Sequence, residues 1–341
     1  MKSLGFGARL WTLAAAGLAI ASIVTIVLGS RAEAGVSRDG NADAAAYRQI
    51  VDRMQSGSDF YAATGTVLRS SANYPVASVF NWREPLLPAG IAVLSERGAT
   101  VVLWMLALFL LVRARPLLRG VLGALPILPA LLMVALHDAV FFAELWAGLC
   151  LGHSVASYAR NQPLSGVAWA VLALFFRELA APFCVVAGVR ALWQRERSQI
   201  AAWAVGGVAF VAYYGWHLTQ VLSHIQEGDP AQQQSWLAFG GLSFLLHAFR
   251  NASGLLIGLP PFLFGVLVAF AVGAWWSTTM IWHVRAGVMA YAVFFLFFGL
   301  PFNGYWGLIV GPLFGMWLAH GASGVAMLAQ PGVKHASTIA R

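Results

Sequence analysis

The chain has 341 residues, of which 60% are hydrophobic and 10% charged, and its mean hydropathy is +0.73. About a quarter of an ordinary soluble chain is charged, so this composition excludes a water-soluble globule, and with it the disordered, collagen-like and disulfide-scaffold classes. The net charge of +8, in so apolar a chain, fits basic residues flanking membrane spans better than a nucleic-acid surface, and no nucleic-acid partner is expected.

At ~20 apolar residues per span, the composition predicts an all-α fold: a polytopic transmembrane helix bundle of about ten spans, forming a single domain over residues 1–341. Residues 10–29 form an apolar stretch behind Lys2 and Arg9 and are expected to be the first span, starting in the cytoplasm. A cleaved signal peptide is the competing reading, because Ala32-Glu33-Ala34 has the small-x-small form. Its apolar core, however, exceeds the roughly 7–15 residues of such signals.

Residues 30–97 then make one long outer loop carrying most of the non-cytoplasmic charge. Within it Tyr47, Ile50, Val51 and Met54 recur at i, i+3, i+4 and i+7 opposite Arg48, Gln49, Asp52, Arg53 and Gln55. This spacing predicts a short amphipathic helix lying on the membrane surface, with Asn41 or Asp43 capping its start and Gly57 ending it. Residues 85–94 read equally well as a second interfacial helix or as the upper part of the next span.

Further spans are expected at about 98–112, 121–136 and 140–157. The stretch 164–193 is too long for one crossing. Placing Arg160, Arg190, Arg195 and Arg197 all in the cytoplasm requires two crossings there, with the chain turning back at Arg177-Glu178. Spans at about 200–218, 255–276, 286–300 and 305–319 complete a multi-pass inner-membrane topology with both termini cytoplasmic. Small-xxx-small spacings at Gly148/Gly152, Gly254/Gly258 and Gly311/Gly315 are expected to serve helix packing.

The chain has no Gly-rich phosphate loop, H-E-x-x-H, C-x-x-C or G-x-S-x-G, so nucleotide hydrolysis, zinc proteolysis and serine hydrolysis lack their local signatures. Asp43, Tyr47, Tyr61, Arg83, Glu84, His137, Asp138, Arg177, Glu178 and Arg250 instead map to the outer half of the predicted bundle. Ionisable groups at membrane depth are costly and mark a site by default. Arg177-Glu178 is the sharpest case, being apolar on both flanks.

In layout the first 200 residues resemble the GT-C superfamily of membrane glycosyltransferases. A first span is followed by a long outer loop opening on an acidic residue, D-A-A-A-Y-R-Q-I-V-D-R-M-Q-S-G-S-D-F-Y over 43–61, then by a basic-plus-proline segment, R-E-P-L-L-P over 83–88. The resemblance implies that a sugar passes from a polyprenyl-phosphate donor to a lipid or glycan acceptor of the cell envelope on the outer face, with inversion. It further implies Asp43 as the base that draws the acceptor proton and Arg177, Arg83 or Arg250 as the cation on the departing phosphate. Tyr47, Tyr61, Glu84, His137, Asp138 and Glu178 would orient these groups or bind sugar. No cofactor is required; Asp43 and Asp138 admit a divalent metal without demanding one. The rival function is a transporter or flippase for a lipid-linked or small polar solute, and a non-catalytic subunit of a glycan-assembly complex is a third. Transporters, though, place polar groups near the bilayer midplane, whereas this chain gathers them toward one face.

Overall fold

A computed structural model describes residues 38–71, 74–118, 124–231, 239–253, 274–275, 277 and 279–321, with side chains described for these except at 38–42 and 301. The expected spans at 10–29 and 255–276, Gly254/Gly258 and both termini lie outside these residues or largely so. The described residues contain helices and no strands.

Helix α1 (Arg38–Gln55) and α2 (Phe60–Ser70) precede the long α3 (Leu86–Arg113). The short α4 (Leu128–Leu132), α5 (Ala143–Ala159), α6 (Pro163–Phe176), α7 (Ala181–Trp193) and α8 (Arg197–His224) follow. Next come α9 (Gly241–Ala252), α10 (Trp282–Phe297), a 3-10 helix over Pro301–Val310 and α11 (Gly311–Ala319).

The amphipathic reading of α1 holds face by face: Ile50 and Val51 are buried, whereas Gln49, Asp52, Arg53 and Gln55 are exposed. Its end is as expected. Gly57 adopts φ +100°, the Ser58 N–H bonds the Arg53 carbonyl at 3.0 Å and the Gly57 N–H bonds that of Met54 at 3.0 Å, the paired bonds of a glycine-terminated helix. Its start is not. The helix begins at Arg38, so Asn41 and Asp43 lie inside it and Asp43 sits in its second turn rather than at its start.

Residues 86–94 are helical and contiguous with the next helix but are set off from it at Ser95, whose φ of 64° and ψ of 162° are not helical, so α3 consists of two helical segments meeting at a kink. The kink turns residues 86–94 beneath α1, where Gln55 Nε2 donates to the Ala92 carbonyl at 3.3 Å.

The turn expected at Arg177-Glu178 is present. α6 ends at Phe176, a 3-10 turn spans Glu178–Ala180, and the Cys184 thiol on α7 reaches back to the Ala170 carbonyl of α6. Two expected spans are not single helices. In the stretch predicted at 121–136, Pro126 and Pro129 each remove a backbone donor, and the described part holds only α4 and a 3-10 turn at Met133–Ala135. The stretch predicted at 305–319 divides into the 3-10 helix and α11.

Helix α5 is the centre of the bundle, with nearly every residue from Ala143 to Ser157 buried; a helix apolar all round belongs inside. Small residues of α5 and α11 let neighbours close in. A Cβ on Gly148 would stand 2.7 Å from the Leu308 carbonyl oxygen and 2.8 Å from that of Ile309, and one on Gly315 would stand 2.6 Å from Ile127 Cα. The glycine spacings within the described residues therefore do serve packing.

A second, smaller core lies above. Ile50 of α1, Phe60, Tyr61, Val67 and Leu68 of α2, Trp82 and Val221 of α8 enclose one another, and Arg69 straps α2 to the end of α8 through Asp229 (2.8 Å) and the His224 carbonyl (2.6 Å). One stretch among the described residues, Val79–Arg113, is both long and apolar enough to cross a membrane, and Pro163–Phe176 and Trp282–Phe297 are shorter apolar helices.

Substituting Gly148→Val drives a branched side chain into backbone that has no rotamer to change, and overpacking of this kind costs ~1–3 kcal/mol. Gly215, where an added Cβ would meet nothing within 4 Å, is the control. Thermal melts of the purified protein are expected to fall by several degrees for Gly148→Val and to hold or rise for Gly215→Ala, since alanine favours an open helical site by ~0.5–1 kcal/mol.

Candidate functional site

Helix α1 lays one stripe of residues, Asp43, Tyr47 and Val51 at i, i+4 and i+8, over the segment leading into α3. Between them lies a cleft of about 480 Å3, counted to its open mouth. Asp43, Tyr47, Arg83, Glu84, Glu144 and Tyr305 supply its polar wall; Leu87, Pro88, Ile91, Phe141 and Phe142 supply much of the apolar one.

Arg83 organises the polar side. Its Nε donates to the Tyr47 hydroxyl at 2.9 Å, Nη2 to the Tyr305 hydroxyl at 2.7 Å and Nη1 to Glu144 Oε1 at 3.2 Å. The Asp43 carboxylate stands 3.9 Å from Nη2. Burial pushes the Tyr47 phenol well above its usual range, so it meets the guanidinium as a neutral hydroxyl.

Behind Arg83 the network continues inward. Glu144 Oε1 also accepts from Arg177 Nε at 2.8 Å, and Arg177 Nη1 donates to Glu178 at 2.9 Å. The Glu178 backbone N–H donates to Glu84 Oε1 at 2.9 Å. Glu84 is buried, and its Oε2 has no hydrogen-bond partner. Four carboxylates against two guanidiniums would leave two negative charges in excess, a load that a dry site sheds by retaining protons.

Of the residues expected from sequence, Asp43, Tyr47, Arg83 and Glu84 thus share one cleft, and Arg177 and Glu178 join them through Glu144 and Glu84. Arg177 does not line the cleft: its side chain is 4% exposed and held between two carboxylates. The others sit elsewhere. Tyr61 lies in the upper core, its hydroxyl 3.0 Å from His217 Nδ1, while His217 Nε2 bonds the Trp82 carbonyl at 3.1 Å.

Asp138 belongs to a separate cluster on α1's other flank, meeting Arg48 at 3.0 Å and His137 at 3.1 Å, with Glu96 2.9 Å from the same Arg48. The His137 side chain is 85% exposed. Arg250 lies on α9, which packs against the 3-10 helix carrying Tyr305, and is not among the residues of the cleft wall. Asp43 and Asp138 thus face different arginines, Arg83 and Arg48, and no group of three or more His, Cys, Asp or Glu among the described residues is placed to hold a metal.

Sequence reasoning missed Glu144 and Tyr305. The signal for Glu144 was present, since it is a lone carboxylate inside the apolar run F-F-A-E-L-W. Tyr305, distant in sequence, had none. No protein-family model, curated protein or solved structure matches the chain.

Glu144→Gln leaves a neutral group between two buried cations, and breaking a buried pair at one partner typically costs ~3–5 kcal/mol. We expect a melting temperature lowered by many degrees. In Arg83→Met/Glu144→Gln the cost should be less than the sum of the single variants, because the two residues share a bond.

Proposed function

We propose that the protein is a multi-span membrane glycosyltransferase of the GT-C kind, taking a sugar from a polyprenyl-phosphate donor at the outer face of the cell's inner membrane. Both termini then lie in the cytoplasm and about ten spans cross the bilayer. The exterior supports a membrane setting: Val101, Met105, Leu108 and Val112 of α3, Val185 and Val189 of α7, and Val205, Val208 and Val211 of α8 all face outward with more than half their surface exposed. Apolar faces this continuous are not left to water.

The observation that carries the reading is the cleft itself, where a partly exposed carboxylate, Asp43, sits on the wall beside an arginine oriented by two tyrosines. An acceptor hydroxyl is a poor nucleophile until a carboxylate draws its proton as the C–O bond forms. Asp43, with 34% of its side chain exposed, is the group placed to accept that proton. As the bond from the anomeric carbon to the lipid phosphate breaks, negative charge grows on the leaving oxygen. Arg83 stabilises it, and in a site shielded from water such a fixed cation acts most strongly. Arg177 supports Arg83 through Glu144 instead of touching the donor. The apolar wall of Leu87, Ile91 and Phe142 suits the first isoprene units, and Tyr47 and Tyr305 suit a sugar face. The carboxylates do not converge as a metal site, and the mechanism uses none.

The test is the glycolipid profile of a deletion strain complemented with wild-type or Asp43→Asn protein at equal expression. A general base contributes roughly 10²- to 10⁴-fold, so the variant should restore no detectable product, and Arg83→Lys, which cannot serve both tyrosines and Glu144 at once, should restore little. Full restoration by Asp43→Asn contradicts the assignment and favours transport or a scaffolding role.

A further inference from the structure

The end of the bundle opposite the cleft carries a second polar cluster that the proposed reaction does not use. Arg113, at the end of α3, donates to Ser157 Oγ at 2.7 Å; Tyr158, next along α5, stacks on His283 with ring centroids 3.7 Å apart; and Arg190, in the last turn of α7, lies over the Trp282 ring at 4.6 Å. These contacts bring the C-terminal ends of α3, α5 and α7 and the start of α10 together. Arg160 follows the end of α5, and Arg195 and Arg197 lie between the end of α7 and the start of α8, with Glu196 the single acid near them in sequence.

Three half-buried arginines at this end, Arg113, Arg190 and Arg285, meet no carboxylate among the described residues; Arg113 donates to Ser157 Oγ, and Arg285, also stacked on a tryptophan with a buried unpartnered Nε, donates to the Ser277 carbonyl, whereas Arg190 has its Trp282 contact alone. Arg48, Arg69, Arg83 and Arg177 each meet a carboxylate within 4 Å. Arg190 meets none among the described residues, and its Nε is buried without a hydrogen-bond partner. All acidic side chains except Glu33 and Asp39 are described, so the chain has almost no anion left to offer it. Trp203 Nε1 and the Tyr158 hydroxyl, both buried, face each other nearby. Removing a guanidinium from water without an anion is costly, and a neutral stack on Trp282 offsets only part of that.

We propose that this place binds the phosphate of an anionic phospholipid, with Arg190 as the principal cation and Trp282 as the platform that fixes it. The assignment to a lipid rather than a free phosphate comes from what flanks the guanidinium. Val185, Val189, Leu192 and Trp193 form an exposed apolar face along α7, and Val293 and Phe297 an exposed face along α10, the helix packed against it. Acyl chains lie along those faces while the headgroup meets Arg190, an arrangement expected of basic sites between membrane helices on the cytoplasmic side. The site is independent of the cleft chemistry and stands whether or not the protein transfers sugar.

The experiment is lipid titration of the purified full-length protein in detergent, read as melting temperature and by native mass spectrometry. Phosphatidylglycerol is expected to raise the melting temperature by several degrees and to be retained as a bound adduct, and phosphatidylcholine to do neither. Arg190→Gln should weaken phosphatidylglycerol binding about tenfold, the scale of losing a charge-assisted hydrogen bond. Arg190→Lys should keep part of it, and Arg160→Gln, at an exposed position, all of it. Trp282→Leu provides a second route to the same loss if Arg190→Gln does not fold. Equal shifts with both lipids, or an undiminished phosphatidylglycerol shift in Arg190→Gln and Trp282→Leu, would overturn the proposal. An equal shift with inorganic phosphate alone would overturn the lipid assignment.

Discussion

One oxygen, Glu144 Oε1, accepts from both Arg83 and Arg177 at the centre of the protein. Neither guanidinium is stable there by itself, and a carboxylate 2% exposed is equally untenable without them. The shared contact ties three parts of the chain that are far apart in sequence: the segment entering α3, the start of α5 and the turn between α6 and α7. Tyr305 adds a fourth from the 3-10 helix. Where these four meet, the bundle cannot be filled with apolar side chains, and the cleft is the space left over.

The two ends of the molecule follow from the same need to pair charge. Four carboxylates gather with Arg83 and Arg177 at the end covered by α1 and α2, and Glu96, Asp138 and Asp229 pair there with Arg48 and Arg69. The opposite end is basic, and Arg190 there has no internal counterion among the described residues. Between the ends the outward faces of α3, α7, α8 and α10 are apolar, and α5 is enclosed. The kink at Ser95 matters to this division because it sends the lower part of α3 down the apolar side while its first nine residues stay under α1 beside the cleft.

Much of this was legible in the chain. The face of α1 was readable because a period near 3.6 separates Ile50 and Val51 from Asp52 and Arg53, and Gly57 marked its end. The turn at Arg177-Glu178 was readable because charge on both sides of a 30-residue apolar run constrains the number of crossings. The grouping of Asp43, Tyr47, Arg83 and Glu84 was expected from their common side of the bundle. Tyr61 was misplaced for a physical reason: a tyrosine on an amphipathic helix faces either a cleft or a core with equal local justification, and only the tertiary partner His217 decides. The short elements around Pro126 and Pro129, in place of one helix, were visible in composition but outweighed by hydropathy. Tyr305 could not be found, since nothing in P-F-N-G-Y-W announces that a residue more than 200 positions away will need its hydroxyl.

The central claim is that α1, from the first loop, seats its Asp43–Tyr47 stripe on the far end of the chain across Arg83. Cross-linking in native membranes tests it directly: cysteines replacing Tyr47 and Tyr305, joined by a short bifunctional thiol reagent, with an engineered protease site in the exposed loop at 225–231. The account predicts that the two halves stay covalently linked after cleavage, at a yield well above that for the same cysteine at 47 paired with one at Val293 on the outer face of α10. Separation of the halves, with both cysteines still reactive toward a monofunctional maleimide, would contradict it.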